Sequence, residues 1–228
     1  QAADLYQRVY KEALSQNDLS TAIAASNNAA GCLMTLREYK NAISIYLETK
    51  ALAQRIGNHK LRLVLDANLA LLYGLLGDYQ KTIPLGEQVL QQEERQISLI
   101  DPHLTLYLAD SYHRTDQFSK AYPYYLRSVE SSDNSGNDRN MSMALDHLGL
   151  AFLDQDQPEQ AEPYIYEAFR RRKLHQSEDL FLSHRSLGKL YRAQNRHDEA
   201  ETHLSQAIRY YLDKPGRTHL HELYAERA

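Results

Sequence analysis

Residues 187–200 read LGKLYRAQNRHDEA: a leucine, a small residue at Gly188, a ring at Tyr191, a polar turn, and a second small residue at Ala200. The same order recurs along the chain. Ala30, Ala70, Ala109, Gly149 and Gly188 follow one another at intervals of 39 or 40. Each is followed 12 residues later by another small residue: Ala42, Thr82, Ala121, Ala161 and Ala200. A fixed period of this length marks units that cannot bury their apolar face alone and must stack in one dimension.

The neighbours of the small residues repeat in type. Leu69, Leu108, Leu148 and Leu187 precede the first, with Ala29 in the first unit, and Leu33, Tyr73, Tyr112, Phe152 and Tyr191 follow three residues after it. Around the second small residue stand Tyr39, Tyr79, Phe118, Pro158 and His197, then Tyr46, Gly86, Tyr125, Ile165 and Leu204. Spacings of three, four and seven place such residues on one helical face. The small pair lets two antiparallel helices cross closely, and the rings fill the space on either side. Short polar turns at 36–38, 77–78, 115–117, 154–157 and 194–196 close each helix pair into an αα-hairpin. Asp101-Pro102 and Gln157-Pro158 read as helix starts with a first-turn proline. The fold expected is all-α, a right-handed α-solenoid of antiparallel helix pairs. Its divisions are a half repeat at 1–16, repeats at 17–57, 58–97, 98–135, 136–175 and 176–214, and the start of another at 215–228. The polar runs 131–139 and 173–179 fall where joints between repeats belong.

At these residues the chain resembles the tetratricopeptide repeat family, best in Leu76-Gly77-Asp78-Tyr79 and in 187–200. The resemblance runs along almost the whole chain. Pro158 and His197 replace the family's usual ring, Thr82 and Gly86 loosen the second repeat, and tryptophan is absent. The period also exceeds the usual length of about 34 residues. Longer repeats of this kind are similar to those of bacterial signalling proteins and of eukaryotic spindle-orientation and motor adaptors.

Composition narrows the function. A net charge of −4 gives no bulk attraction to nucleic acid. One cysteine excludes an internal disulfide and a cysteine-based zinc site, and Cys32, on an apolar helix face, reads as a buried structural thiol. The stretch 61–77 is broken by Arg62, Asp66 and Asn68, so it reads as a core helix rather than a membrane span. Ten histidines show no His-Glu-x-x-His pattern, and His219 and His221, two apart, point in different directions. They read as scattered surface residues. The sequence holds no phosphate-cradling glycine loop and no nucleophile elbow. No catalytic residue, cofactor or metal ligand is assigned. The run Arg170-Arg171-Arg172-Lys173 reads as cations favourable at a helix C-terminus.

In stacked helix pairs the first helix of each pair lines the inner surface. In the fifth repeat the groove positions are Arg185, Lys189 and Arg192, three cations in one stripe; the third offers Asp110, His113 and Arg114, and the fourth Asp146. The first two repeats contribute apolar and small groups, so the groove runs from apolar to charged. Asn28 and Asn68 stand two positions before their small residues, where an amide both donates to and accepts from an extended peptide backbone. Asparagine at that position is what the resemblance implies for peptide-binding long repeats. The expected ligand is therefore a protein or peptide with an apolar and an acidic portion.

By the same resemblance, the chain is expected to be the sensory or regulatory segment of a larger bacterial signalling protein. The output domain attached to it would be a diguanylate cyclase, a histidine kinase or a DNA-binding regulator, responding to a ligand-dependent change in superhelical pitch. A peptide-pheromone receptor and a constitutive structural adaptor are the alternatives; an enzyme would need residues outside this sequence. The open faces of the end helices suit a homodimer. A cytoplasmic location is expected, with the periplasm left open.

Overall fold

The computed structural model describes residues 2–93, 102–212 and 225–226. The described residues form eleven helices. The chain divides into two compact units, 1–115 and 116–228. The first holds α1 (Ala2–Ser15), α2 (Leu19–Thr35), α3 (Tyr39–Arg55), α4 (His59–Leu75), α5 (Tyr79–Glu93) and α6 (Pro102–Arg114). The second holds α7 (Phe118–Asn134), α8 (Asp138–Asp154), α9 (Pro158–Leu174), α10 (Leu180–Ala193) and α11 (His197–Leu212). Within each unit every helix packs on its neighbour in sequence, and first helices also meet across repeats, α4 with α6 and α8 with α10. The architecture is that of an all-α solenoid of antiparallel helix pairs.

The structural period is half the sequence period. Positive φ recurs at Asn17, Arg37, Gly57, Gly77, Asp116, Gly136, Asp156, Gln176 and Asn195, at steps of 19 or 20 wherever consecutive turns are described. Each of these residues ends a helix. At Arg37, the N–H bonds Met34 O, and the N–H of Glu38 reaches back to Leu33 O; Gly77 with Asp78, Asp156 with Gln157 and Asn195 with Arg196 do the same. This paired closure satisfies the last carbonyls and reverses the chain in about three residues. First helices then start on side-chain caps, Asp18 to Thr21 N–H, Asn58 to Leu61 N–H and Asn137 to Asn140 N–H. The cap Asp101 expected before Pro102 lies outside the described residues, as do positions 94–100, 213–224 and 227–228 and with them His219 and His221.

Joints between repeats are as short as the turns within them. The run 131–139 is mostly helix, because α7 continues to Asn134 and α8 opens at Asp138. Its serines look loop-like by composition, yet Ser128 and Ser132 are buried, and Ser132 Oγ donates to Ser128 O. Cys32 is half-buried rather than buried.

Packing follows the small residues. Ala30, Ala42, Ala70, Thr82, Ala109, Ala121 and Ala161 are fully buried. A methyl added at Gly149 would meet Ile165 Cγ1 at 2.5 Å, and one at Gly188 would meet Leu204 Cγ at 2.5 Å. Helix pairs α8–α9 and α10–α11 therefore touch at a distance that only glycine allows. In the first unit Leu33, Tyr46, Leu65, Leu69 and Leu72 gather around Ala30 and Ala42. In the second, Leu148, Ile165, Leu187, Leu190 and Leu204 are buried. Each such leucine or isoleucine contributes about 1.5–3 kcal/mol of burial. Phe152 packs edge-on against Phe118 and Tyr122 and face-on against Tyr164.

Candidate peptide-binding face

The second unit brings the fifth-repeat cations together on α10. Arg185, Lys189 and Arg192 are four and three residues apart, one stripe of an α-helix. They converge on Glu226. Arg185 Nε lies 2.9 and 3.0 Å from the two carboxylate oxygens, Arg185 Nη2 2.5 Å from one of them, and Lys189 Nζ 3.2 Å from the same oxygen. Arg192 Nη1 donates to the Glu226 backbone carbonyl. A planar guanidinium gripping both oxygens is the strong, geometrically specific form of this contact. Burial opposes charge on Glu226, but Arg185 and Lys189 outweigh it and hold the carboxyl below the ordinary carboxylate range. Glu226 stands 40 residues after Ser186, as Asn68 stands 40 after Asn28, so the period places it at the same register.

Asp146 departs from the expectation. It is 4% exposed and points into the interior, where Arg172 Nη1 donates to its Oδ2 at 3.0 Å and also to Ser183 Oγ at 2.8 Å. This buried trio ties α8, α9 and α10 together. Its position is internal because the first helices of consecutive repeats pack on one another there. Ala67 and Leu71 of α4 and Leu106 of α6, first helices that pack on each other, are buried as well. Arg171, Arg172 and Lys173 do occupy the last turn of α9, but Arg172 is 4% exposed and turned inward, while Arg171 alongside pairs with Glu167 and Asp138. The signal was present, since Arg172 continues the buried row Ala161, Ile165, Ala168 at helical spacing.

In the first unit, Asn28 of α2 is exposed and Asn68 of α4 half-buried. On α6, Asp110 and His113 are half-buried and Arg114 is exposed. Asn27, one residue from Asn28, has a buried Oδ1 with no hydrogen-bond partner among the described residues. Gly74 of α4 lies against Tyr107 of α6, where an added methyl would stand 3.1 Å from the tyrosine Cβ.

Two histidines are not scattered on the surface. His184 of α10 and His203 of α11 stack with ring centroids 5.1 Å apart and Nδ1 atoms at 2.9 Å, so one must donate and the other accept. Burial, with the neighbouring His203 and Lys173, lowers His184 to about 4; burial lowers His203. Tyr191, stacked on His203 and bonded to the Tyr166 hydroxyl at 2.6 Å, is pushed up to about 12, mainly by burial. Only three-dimensional packing brings this pair together, 19 residues apart and on different helices.

Among the described residues no group of three or more His, Cys, Asp or Glu side chains is placed to hold a metal ion, and no helix is long and apolar enough to cross a membrane. Stacked antiparallel helix pairs of this kind define an α-solenoid interaction scaffold. The tetratricopeptide repeat family matches residues 20–93 and 141–213, and the chain belongs to it. No curated protein matches the sequence. The crystal structure of BtubC (BKLC) from P. vanneervenii is similar in fold: TM-score 0.75, 20% identity, 95% of this chain and 94% of that one covered. The apo quorum sensor NprR from B. thuringiensis gives TM-score 0.76 at 18% identity, over 99% of this chain and 63% of that one. Apo RapI gives 0.71 at 12% identity, over 96% and 62%.

Proposed function

We propose that the chain binds a protein or peptide on the exposed row of its first helices, with an acidic segment of the partner held by Arg185, Lys189 and Arg192. The observation that carries this reading is Glu226. A carboxylate on Arg185 and Lys189, with its own backbone carbonyl on Arg192, is the arrangement an acidic residue of a partner would reproduce. Taken by itself, the first unit offers Asn28 and Asn68 to bond an extended backbone, with Asp110, His113 and Arg114 as further polar groups of its first helices. The binding segment serves as the regulatory part of a larger bacterial signalling protein, and the ligand acts by changing the angles between successive repeats. The regulatory reading is prompted by the chain's likeness in fold to a quorum sensor.

The test is the triple variant Arg185→Glu, Lys189→Glu, Arg192→Glu, with folding checked by circular dichroism and peptide affinity read by fluorescence anisotropy. Hydrogen bonds to charged groups contribute about 1.5–3 kcal/mol each, so affinity for acidic–apolar peptides falls at least tenfold. Unchanged affinity in a folded variant rules the stripe out. A constitutive adaptor differs in that saturating peptide leaves its solution scattering unchanged.

A further inference from the structure

A cleft whose lining shares no residue with the cationic stripe lies in the same unit. The C-terminal ends of α9 and α11 and the N-terminal half of α10 border this open cleft of about 480 Å³, within the range of about 300–1,000 Å³ typical of ligand pockets. Phe181 and Tyr210 line it with stacked rings, centroids 4.7 Å apart and planes 14° apart, beside Leu180 and His184. Tyr210 is fixed by its hydroxyl, which donates to Glu178 O at 2.5 Å. Lys173 and Arg209 stand on the lining with Gln176 and Gln206, and no carboxylate side chain is among the described lining residues. Lys173 Nζ also lies 5.7 Å over the Phe169 ring, which steadies its stem without cancelling its charge. His184, lowered to about 4, is neutral at pH 7 and adds a flat, partly apolar wall.

An aromatic and aliphatic lining with a cationic margin selects an apolar side chain next to a negative charge. We infer that this cleft is a docking site for a partner polypeptide that inserts one large apolar side chain and sets an adjacent carboxylate between Lys173 and Arg209. Charge complementarity decides the occupant: a basic or neutral segment would leave both cations, Lys173 and Arg209, unmatched. The apolar side chain stacks on Phe181 and Tyr210, and Gln176 and Gln206 are available to its backbone.

The test uses the full chain and acetylated twelve-residue peptides with a central Phe-Glu, Phe-Gln or Phe-Lys pair. Binding is read by aromatic NMR shifts of Phe181 and Tyr210 and by anisotropy. The Phe-Glu peptide is expected to shift both rings and to bind at least tenfold more tightly than the Phe-Lys peptide. Lys173→Glu with Arg209→Glu abolishes that preference, while the triple variant in Arg185, Lys189 and Arg192 retains it, which separates this cleft from the stripe proposed above. Equal binding of all three peptides, or an unchanged preference in the Lys173/Arg209 variant, overturns the proposal. Phenylpropionate binding as tightly as the peptide would assign the cleft to a small molecule and overturn the polypeptide occupant.

Discussion

Glycine-to-alanine exchange at three positions gives opposite outcomes according to the room each glycine has, and Gly188 measures how closely its paired helices approach. At Gly188 an added Cβ falls 2.5 Å from Leu204 Cγ, 2.7 Å from Leu204 Cδ2 and 3.4 Å from the Ala200 carbonyl oxygen. Leu204 is 1% exposed, so it has no open space to swing into. Overpacking of this kind costs about 1–3 kcal/mol, against about 1 kcal/mol gained by replacing glycine with alanine inside a helix. Gly188→Ala therefore loses about 1 kcal/mol net, a few degrees of Tm for a chain of this size. Gly31 of α2 is exposed and an added Cβ meets nothing within 4 Å, so Gly31→Ala keeps the full gain of about 1 kcal/mol. At Gly86 the new methyl stands 3.4 Å from Leu108 Cδ1, an ordinary contact, and Gly86→Ala is stabilising as well. Urea unfolding followed by far-UV circular dichroism reads all three. In a Leu204→Ala background, Gly188→Ala turns from destabilising to stabilising, because the two atoms it meets are gone. Equal stabilisation by Gly188→Ala and Gly31→Ala in the native background would refute the close crossing of α10 and α11.

Other substitutions probe the turns, the buried charges and the histidine pair. Gln176 carries positive φ at a helix end that glycine fills elsewhere in the chain, so Gln176→Gly raises stability by about 0.5–1 kcal/mol in the same unfolding assay. Arg172→Ala leaves Asp146 buried without its partner and costs about 3–5 kcal/mol; Arg172→Met with Asp146→Leu recovers most of that loss. His184 has a folded pKa of about 4, below its unfolded value, so its contribution to stability is present above the unfolded value near 6.5 and is lost as pH falls toward 4. His203→Phe, which keeps the ring stack but removes the facing nitrogen, is expected to flatten the fall in Tm between pH 6.5 and 4.5. A slope equal to that of the native chain would contradict the pairing.

The sequence carried the fold because small residues at helix crossings have no substitute. Gly149, Gly188 and the buried alanines announce the helix pairs, and the rings at Tyr112, Phe152 and Tyr191 announce their faces. The turns were legible through polarity but not through chemistry. Arg37, Asp116, Asp156, Gln176 and Asn195 do the work glycine does at Gly57, Gly77 and Gly136, so half of the period was hidden by residue type. The candidate face was less legible. The register located Arg185, Lys189 and Arg192 on one stripe, but it also counted Asp146 as exposed. First helices press on their neighbours at those positions, and contact between repeats is not a local property of sequence. Arg172, Glu226 and the His184–His203 pair acquire their roles only through partners 11 to 41 residues away, on other elements.

Hydrogen-exchange mapping of the tightest binder from an acidic–apolar peptide library tests the central claim most directly. Recognition by the first helices predicts new protection on α10 around Arg185, Lys189 and Arg192, lost in the charge-reversed triple variant. Protection confined to second helices, or unchanged by the charge reversal, would contradict it.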